Sequence, residues 1–212
     1  MSGDALAQIA ACAPAGLRWT DALAAEVSRA YSSAGRHYHT IDHVAEVAQR
    51  FAEVASEGPG WRDPLSVFAA VLAHDAVYDA ARSDNEALSA ELGRAWCREL
   101  LGIDGERCAQ LVLATAHHAG PPSDREEDLD LALFLDCDLA ILGADPARYD
   151  AYERDVAREY SAVWPEPLYR AGRARFLASM LERPTPFHTA WSTARWGAAA
   201  RSNLERALAA LS

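Results

Sequence analysis

Apolar residues recur with a helical period along almost the whole chain. Ala, Leu, Arg and Glu dominate, and alternating runs rich in Val, Ile and Thr are absent, so the pattern predicts helices rather than strands. Thr20 and Thr40 are placed to cap two early helices, over about 20–33 and 40–55. Pro64 suits the first turn of a third helix. The sequence therefore predicts an all-α fold.

The second half of the chain continues this pattern. The segment "SDNE", residues 83–86, matches a capping box that opens a helix to about Leu101. Asp104 can cap the next helix, which ends near "ATAHHAGPP". The apolar stretch "LDLALFLDCDLAILG" predicts a central buried helix, and three further helices follow it. No repeat or linker divides the chain, so we expect one helical-bundle domain over residues 1–212, with 1–16 as a candidate loose N-terminal extension.

Composition narrows the possible partners. The chain has 212 residues, half of them hydrophobic, and a formal net charge of −11. An acidic chain is poorly suited to binding a nucleic-acid polymer or an anionic membrane, although a local pocket can still bind a small anion. We identify no signal peptide and no apolar run long enough to span a membrane. The four cysteines form no CxxC pair, which favours free thiols and a cytoplasmic location. The Ala-rich C-terminal segment leaves a homo-oligomer open.

Polar residues of metal-binding type interrupt otherwise apolar helical segments at four places. These are His43, the pair His74 and Asp75, the pair His117 and His118, and Asp136 with Asp138. A buried, unpaired carboxylate costs several kcal/mol, at least ~3. No arginine lies within helical reach in "LFLDCDLAIL", so a divalent cation with imidazole ligands would satisfy both charges. Asp75 and Asp79 are four residues apart and would share one helix face.

The order His43, His74-Asp75, Asp138 resembles the HD superfamily of metal-dependent phosphohydrolases. The segments "RHYHTIDHV", "HDAVYD", "DNEALSAEL", "FLDCDLAILGA" and "YDAYERDVAREY" are similar to one predicted bacterial subgroup of that superfamily. The resemblance extends from about Tyr31 to Leu208. It implies an HD-domain helical bundle and hydrolysis of a phosphoester or phosphoanhydride in a small phosphorylated molecule, most simply a nucleotide.

The resemblance also implies roles for individual residues. His43, His74, Asp75 and Asp138 would hold one divalent transition metal, and this ligand set suits Mn, Fe, Ni, Co or Zn better than Mg. Asp75 would act in catalysis through the metal, and Asp79 would orient or deprotonate the attacking water. In related guanosine tetraphosphate hydrolases a Glu-Asp pair occupies these places, so Tyr78 departs from that pattern and Asp79 matches it.

Three groups are candidate substrate ligands. Arg36 can bind a phosphate as a bidentate fork, and His39 lies one helical turn before His43. His117 and His118 lie between the His-Asp pair and the last aspartate, where binuclear members of the superfamily carry extra histidines. Since neighbouring residues on a helix point about 100° apart, only one of these two is expected to face the site, as a phosphate ligand or a ligand of a second metal.

Two alternative functions remain compatible with the sequence. A few members of the superfamily are mixed-valence di-iron oxygenases, and the histidine pair at 117 and 118 keeps that possibility open. A non-catalytic nucleotide-binding module would keep the fold without the chemistry. Four polar residues placed in apolar helices favour a catalytic site over such a module.

Overall fold

The structure, a computed structural model, describes residues 2–117 and 128–211. These ranges contain α-helices with short 3-10 and π turns and no strand, which confirms the all-α prediction. The helices are α1 Ser2–Ala11, α2 Asp21–Ala30, α3 Ile41–Glu57, α4 Pro64–Ala73, α5 Asn85–Trp96, α6 Glu106–Ala114, α7 Leu129–Leu139, α8 Pro146–Ser161, α9 Glu166–Glu182 and α10 Ala190–Leu211.

Local capping explains where several helices begin. The Thr20 side chain accepts the backbone N–H of Leu23 at 3.2 Å and caps α2. Pro64 is the first residue of α4, as predicted. The predicted capping box at 83–86 is not formed, because α5 begins only at Asn85 with Asp84 at the cap position. The Asp84 carboxylate instead pairs with the guanidinium of Arg82, at 2.7 and 2.8 Å.

Two groups of buried side chains form the interior of one compact domain. The first comes from α1 to α7 and includes Phe51, Phe68 and Phe134. The second comes mainly from α8 to α10 and from the turn after α7, and it includes Tyr149 and Leu177. Helix α4 is the most enclosed, because every residue from Ser66 to Ala73 is buried. The C-terminal end of α4 therefore lies inside the molecule.

The N-terminal segment and the cysteines also contribute to this interior. Helix α1 falls within the stretch considered as a loose extension, and it packs against α3 with Ile9 fully buried. Cys97, Cys108 and Cys137 are buried free thiols, while Cys12 is partly exposed. Among the described residues, no helix combines the length and the apolar character that crossing a bilayer requires.

Three buried acidic residues hold the loops that lead into other helices. We call Asp130, Asp136 and Glu159 the anchoring carboxylates. Asp130 accepts backbone N–H groups just before α4, Asp136 those just before α10, and Glu159 those just before α3. Each burial is offset by hydrogen bonds that the ionised oxygen accepts. These contacts fix the entry of α3 and α4, the two helices that carry the histidines of the site.

Candidate metal centre

Three helices converge on one group of ligand-type side chains. His43 lies in the first turn of α3, His74 is the C-terminal cap of α4, and Asp75 follows it. Asp138 lies next to the last residue of α7. The His74 ring contacts Phe134 of the first core group, and the His43 ring contacts Tyr38 of the second, with centroids 6.3 and 4.7 Å apart. The site therefore lies where the two core groups meet.

The ligand atoms lie close together. The Nε2 atoms of His43 and His74 are 3.0 Å apart. The Asp75 Oδ2 atom lies 3.5 and 3.2 Å from these two nitrogens, and Asp138 Oδ1 lies 3.2 and 3.6 Å from them. His43, His74 and Asp75 form a cluster that could hold a metal ion, and Asp138 reaches both imidazoles of that cluster.

These separations agree with the geometry of a metal shell. Ligand atoms that are each about 2.1 Å from one ion stand about 3.0 Å apart at octahedral angles and about 3.4 Å apart at tetrahedral angles. The His74 Nδ1 atom lies 3.0 Å from the Val71 carbonyl oxygen and donates to it. Its Nε2 lone pair is therefore free to bind a cation. The donor set could therefore hold a metal ion.

The electrostatics of the cluster favour a positive charge at its centre. Burial alone would lower the pKa of His43, but the carboxylates of Asp138 and Asp75 raise it to about 10. Burial likewise acts against the charged form of Asp75, yet the neighbouring histidines His74 and His39 hold its pKa well below the usual range. Two carboxylates next to two buried imidazoles leave a demand for a cation that a divalent ion can meet.

A small cavity lies behind His43. Its volume is about 120 Å³, and it is bordered by His43, Tyr38, Asp138 and the ion pair of Glu46 and Arg148. The Nδ1 atom of His43 and the hydroxyl of Tyr38 are buried and find no hydrogen-bond partner among the described residues. The cavity has room for an ordered water whose oxygen would accept a hydrogen bond from the Nδ1–H group. Such a water would fix the tautomer in which Nε2 can bind a metal.

Arg36, which the sequence predicts as a phosphate ligand, has most of its hydrogen-bond donors engaged by the protein itself. Its Nη1 atom donates to the carbonyl oxygens of His39 and Asp75 at 2.7 and 2.8 Å. Its Nη2 atom donates to Ala76 O at 3.0 Å, and Nε donates to Ser33 Oγ at 2.7 Å. Because four of its five donors are occupied, the guanidinium joins the turn after α4 to the loop before α3.

We expect the substitution Arg36→Ala to lower the free energy of unfolding by about 2–4 kcal/mol, because three partly buried carbonyls lose a charged donor. Urea denaturation measures this effect. Arg154→Ala, at a side chain that is 61% exposed, is the matched control and should change stability by less than about 0.5 kcal/mol. A variant of Arg36 with native stability and weakened phosphate binding would restore the substrate-binding interpretation.

Asp79 does not occupy the position that the sequence suggested. Helix α4 ends at Ala73, so Asp75 and Asp79 do not share a helix face. Asp79 is exposed, and its carboxylate accepts the Ala81 N–H at 2.9 Å. Its backbone is tied on both sides to the amide of Asn85. The side chain closes a turn, as aspartate often does, and the geometry gives no support to a role in activating water.

His39, the other predicted substrate ligand in this loop, does lie beside the cluster. Its ring centroid is 6.0 Å from that of His43, and its ring stacks on Tyr78 at 4.1 Å. Its partner Glu159 was not identified from the sequence, because 120 residues separate them. His117 is the last residue of a 3-10 turn after α6, its side chain is not described, and His118 lies outside the described residues.

The chain was compared with family models, with curated proteins and with solved structures. None of them matches. Any assignment of activity therefore depends on the residues of the site, on the geometry given above and on the resemblance carried by the sequence motifs.

Proposed function

We propose that this chain is an HD-type, metal-dependent phosphohydrolase that cleaves a phosphoester or phosphoanhydride bond in a small phosphorylated molecule such as a nucleotide. One observation carries the proposal: two imidazole nitrogens and two carboxylate oxygens come together where three helices meet. Each imidazole Nε2 atom lies 3.0–3.6 Å from the other imidazole nitrogen and from both carboxylate oxygens. They occur along the chain in the order His43, His74-Asp75, Asp138. That order is the sequence signature of the HD superfamily.

The chemistry of the donor set supports a transition metal. Two imidazoles with two carboxylates suit Mn, Fe, Co, Ni or Zn, whereas Mg prefers a shell richer in oxygen. A divalent ion in this place lowers the pKa of a bound water and polarises a phosphoryl oxygen. The chain itself supplies rigidity, because His74 is held by a backbone carbonyl and both histidines are almost fully buried. Asp75 and Asp138 are partly open, with 21% and 11% of their side chains exposed, so a substrate can reach that side.

The test is a hydrolysis screen on the full-length chain. Nucleoside mono-, di- and triphosphates and a synthetic phosphodiester are offered to metal-stripped protein, with Mn, Co, Ni, Fe, Zn and Mg supplied in turn. We expect phosphate release that requires added metal and is strongest with a transition metal. Absence of release from every substrate by protein that binds metal would refute the hydrolase, and failure to bind any metal would refute the site.

Metal analysis in the same screen separates the alternative functions. Two irons per chain together with a requirement for oxygen would indicate the di-iron oxygenase. Nucleotide binding by a folded protein that contains no metal would indicate the non-catalytic module. One transition metal per chain with phosphate release is the result expected here.

A further inference from the structure

A buried carboxylate on α8 is hydrogen-bonded to the loop that leads into the metal site. The Glu159 side chain is fully buried. Its Oε1 atom accepts the backbone N–H groups of His37, Tyr38 and His39 at 2.7, 2.8 and 3.0 Å. Burial acts against its charged form, but the hydrogen bonds from His39 and from the backbone N–H groups lower its pKa to about 2. Glu159 is therefore a fixed negative charge next to residues 37–39.

The second oxygen of Glu159 holds the imidazole of His39. The Oε2 atom lies 2.6 Å from His39 Nδ1, and it also accepts the Tyr78 hydroxyl at 3.0 Å. Because an ionised carboxylate can only accept hydrogen bonds, His39 must carry a proton on Nδ1. In the neutral ring the lone pair then lies on Nε2, on the side of the ring away from Glu159. The carboxylate selects the tautomer as well as the orientation.

The remaining contacts of His39 keep this ring beside the metal ligands. Tyr78 stacks on it with an interplanar angle of 25°, and Tyr38 meets it edge-on with centroids 5.0 Å apart. The side chain is 19% exposed, and Nε2 makes no hydrogen bond to any residue in the described ranges. The ring is thus held on both sides while one basic nitrogen remains available near His43.

We propose that Glu159 is a positioning residue that orients His39, and that His39 Nε2 is the general base of the hydrolase. This inference rests on the proposed function. The Nε2 atom takes a proton from the water as its oxygen bonds to phosphorus. It returns that proton to the leaving oxygen as the old P–O bond breaks, so the proton balance closes. His39 thereby takes the role that the sequence assigned to Asp79. The Glu159–His39 pair would act on the proton, beside the cluster that would hold the metal.

The test compares Glu159→Gln and His39→Asn with the native chain. Glutamine keeps the size of the side chain but cannot hold His39 as a charged acceptor. We expect kcat to fall about 10²-fold in each variant, within the range of general acid–base catalysis, while KM stays within about twofold and metal content is unchanged. The double variant should be no slower than either single one, because the two residues act as a unit. His39→Asn leaves the backbone donors to Glu159 intact and guards against misfolding of the loop.

A spectroscopic measurement tests the orientation without reference to activity. Imidazole nitrogen NMR of the zinc-loaded chain should show His39 protonated on Nδ1, and Glu159→Gln should shift the ring towards the other tautomer. Arg158→Ala is the control, since Arg158 lies next to Glu159 on α8 but its side chain is 60% exposed and pairs with Asp155. It should preserve both the tautomer and a kcat within about threefold of the native value.

The two proposals can fail separately. Native hydrolysis combined with a His39 protonated only on Nε2, or with an unimpaired Glu159→Gln variant, would overturn the positioning role and leave the hydrolase standing. An intact Nδ1–H signal in a chain that hydrolyses no phosphorylated compound would overturn the hydrolase, and with it the general base. In that case the oriented imidazole would stand as a structural finding.

Discussion

Replacing His74 by alanine is expected to remove the bound metal and to lower phosphate release by about 10³-fold. His74 is buried, with only 1% of its surface exposed. Its Nε2 atom lies within 3.6 Å of each of the other ligand atoms. Loss of one of two imidazoles leaves a ligand set that holds the ion poorly. A metal ion contributes several kcal/mol to a phosphoryl transition state, and each 1.36 kcal/mol corresponds to about tenfold in rate.

Metal content per chain and phosphate release measure this effect together. His37→Ala is the matched control, because His37 is exposed and only its backbone contacts Glu159. The control should keep native metal content and native activity. Native metal content in the His74→Ala variant would contradict the assignment of the cluster as a metal centre.

Two aspartates on α7, two residues apart, should differ in metal affinity when each is replaced by asparagine. Asp136 is fully buried and accepts the N–H groups of His188 and Thr189 at 2.6 and 2.9 Å, together with the Thr189 hydroxyl at 2.7 Å. In Asp136→Asn an amide NH₂ would face these donors. We expect the free energy of unfolding to fall by about 2–4 kcal/mol, while metal affinity stays native in the folded protein.

Asp138→Asn should instead weaken metal binding. Its carboxylate contacts the two metal-site imidazoles, so we expect metal affinity to fall at least about tenfold. The unfolding free energy of the metal-stripped protein should also fall, because the buried imidazoles of His43 and His74 lose one of their two neighbouring carboxylates. Metal affinity is therefore the measurement that separates the two variants. Urea denaturation in chelator and metal titration of both variants provide the comparison. Native metal affinity in Asp138→Asn would show that Asp138, like Asp136, serves the fold rather than the metal.

This pair also shows how far the sequence could lead. The helical period of the apolar residues was sufficient to predict the all-α fold, because that period reflects local geometry. The two carboxylates within "LFLDCDLAIL" were predicted to share the compensation of one cation, but Asp136 is hydrogen-bonded elsewhere. The sequence does not reveal that Asp136 obtains it from backbone N–H groups of residues 188 and 189. Such a partnership depends on how distant segments pack, and no local pattern encodes it.

The same limitation applies to the other residues around the site. Asp79 matched a motif, but the helix ended six residues before it and the side chain turned to its own loop. Arg36 had the right chemistry for phosphate, yet three backbone carbonyls from two loops occupy it. Glu159 carried no signal at all, since an acidic residue in "RDVAREY" is typical of a solvated helix face. Motif spacing located the cluster, whereas packing determines which neighbouring side chains are already engaged within the protein.

The anchoring carboxylates have a consequence for the order in which the chain can assemble. All four candidate metal ligands lie between residues 43 and 138, whereas the carboxylate that fixes His39 comes from residue 159. During synthesis the ligands are complete before Glu159 has been made. The loop before α3 must wait for α8 to be added, so closure of this long-range contact comes late. Under the proposed function, the four metal ligands are therefore synthesised before the carboxylate that orients the general base.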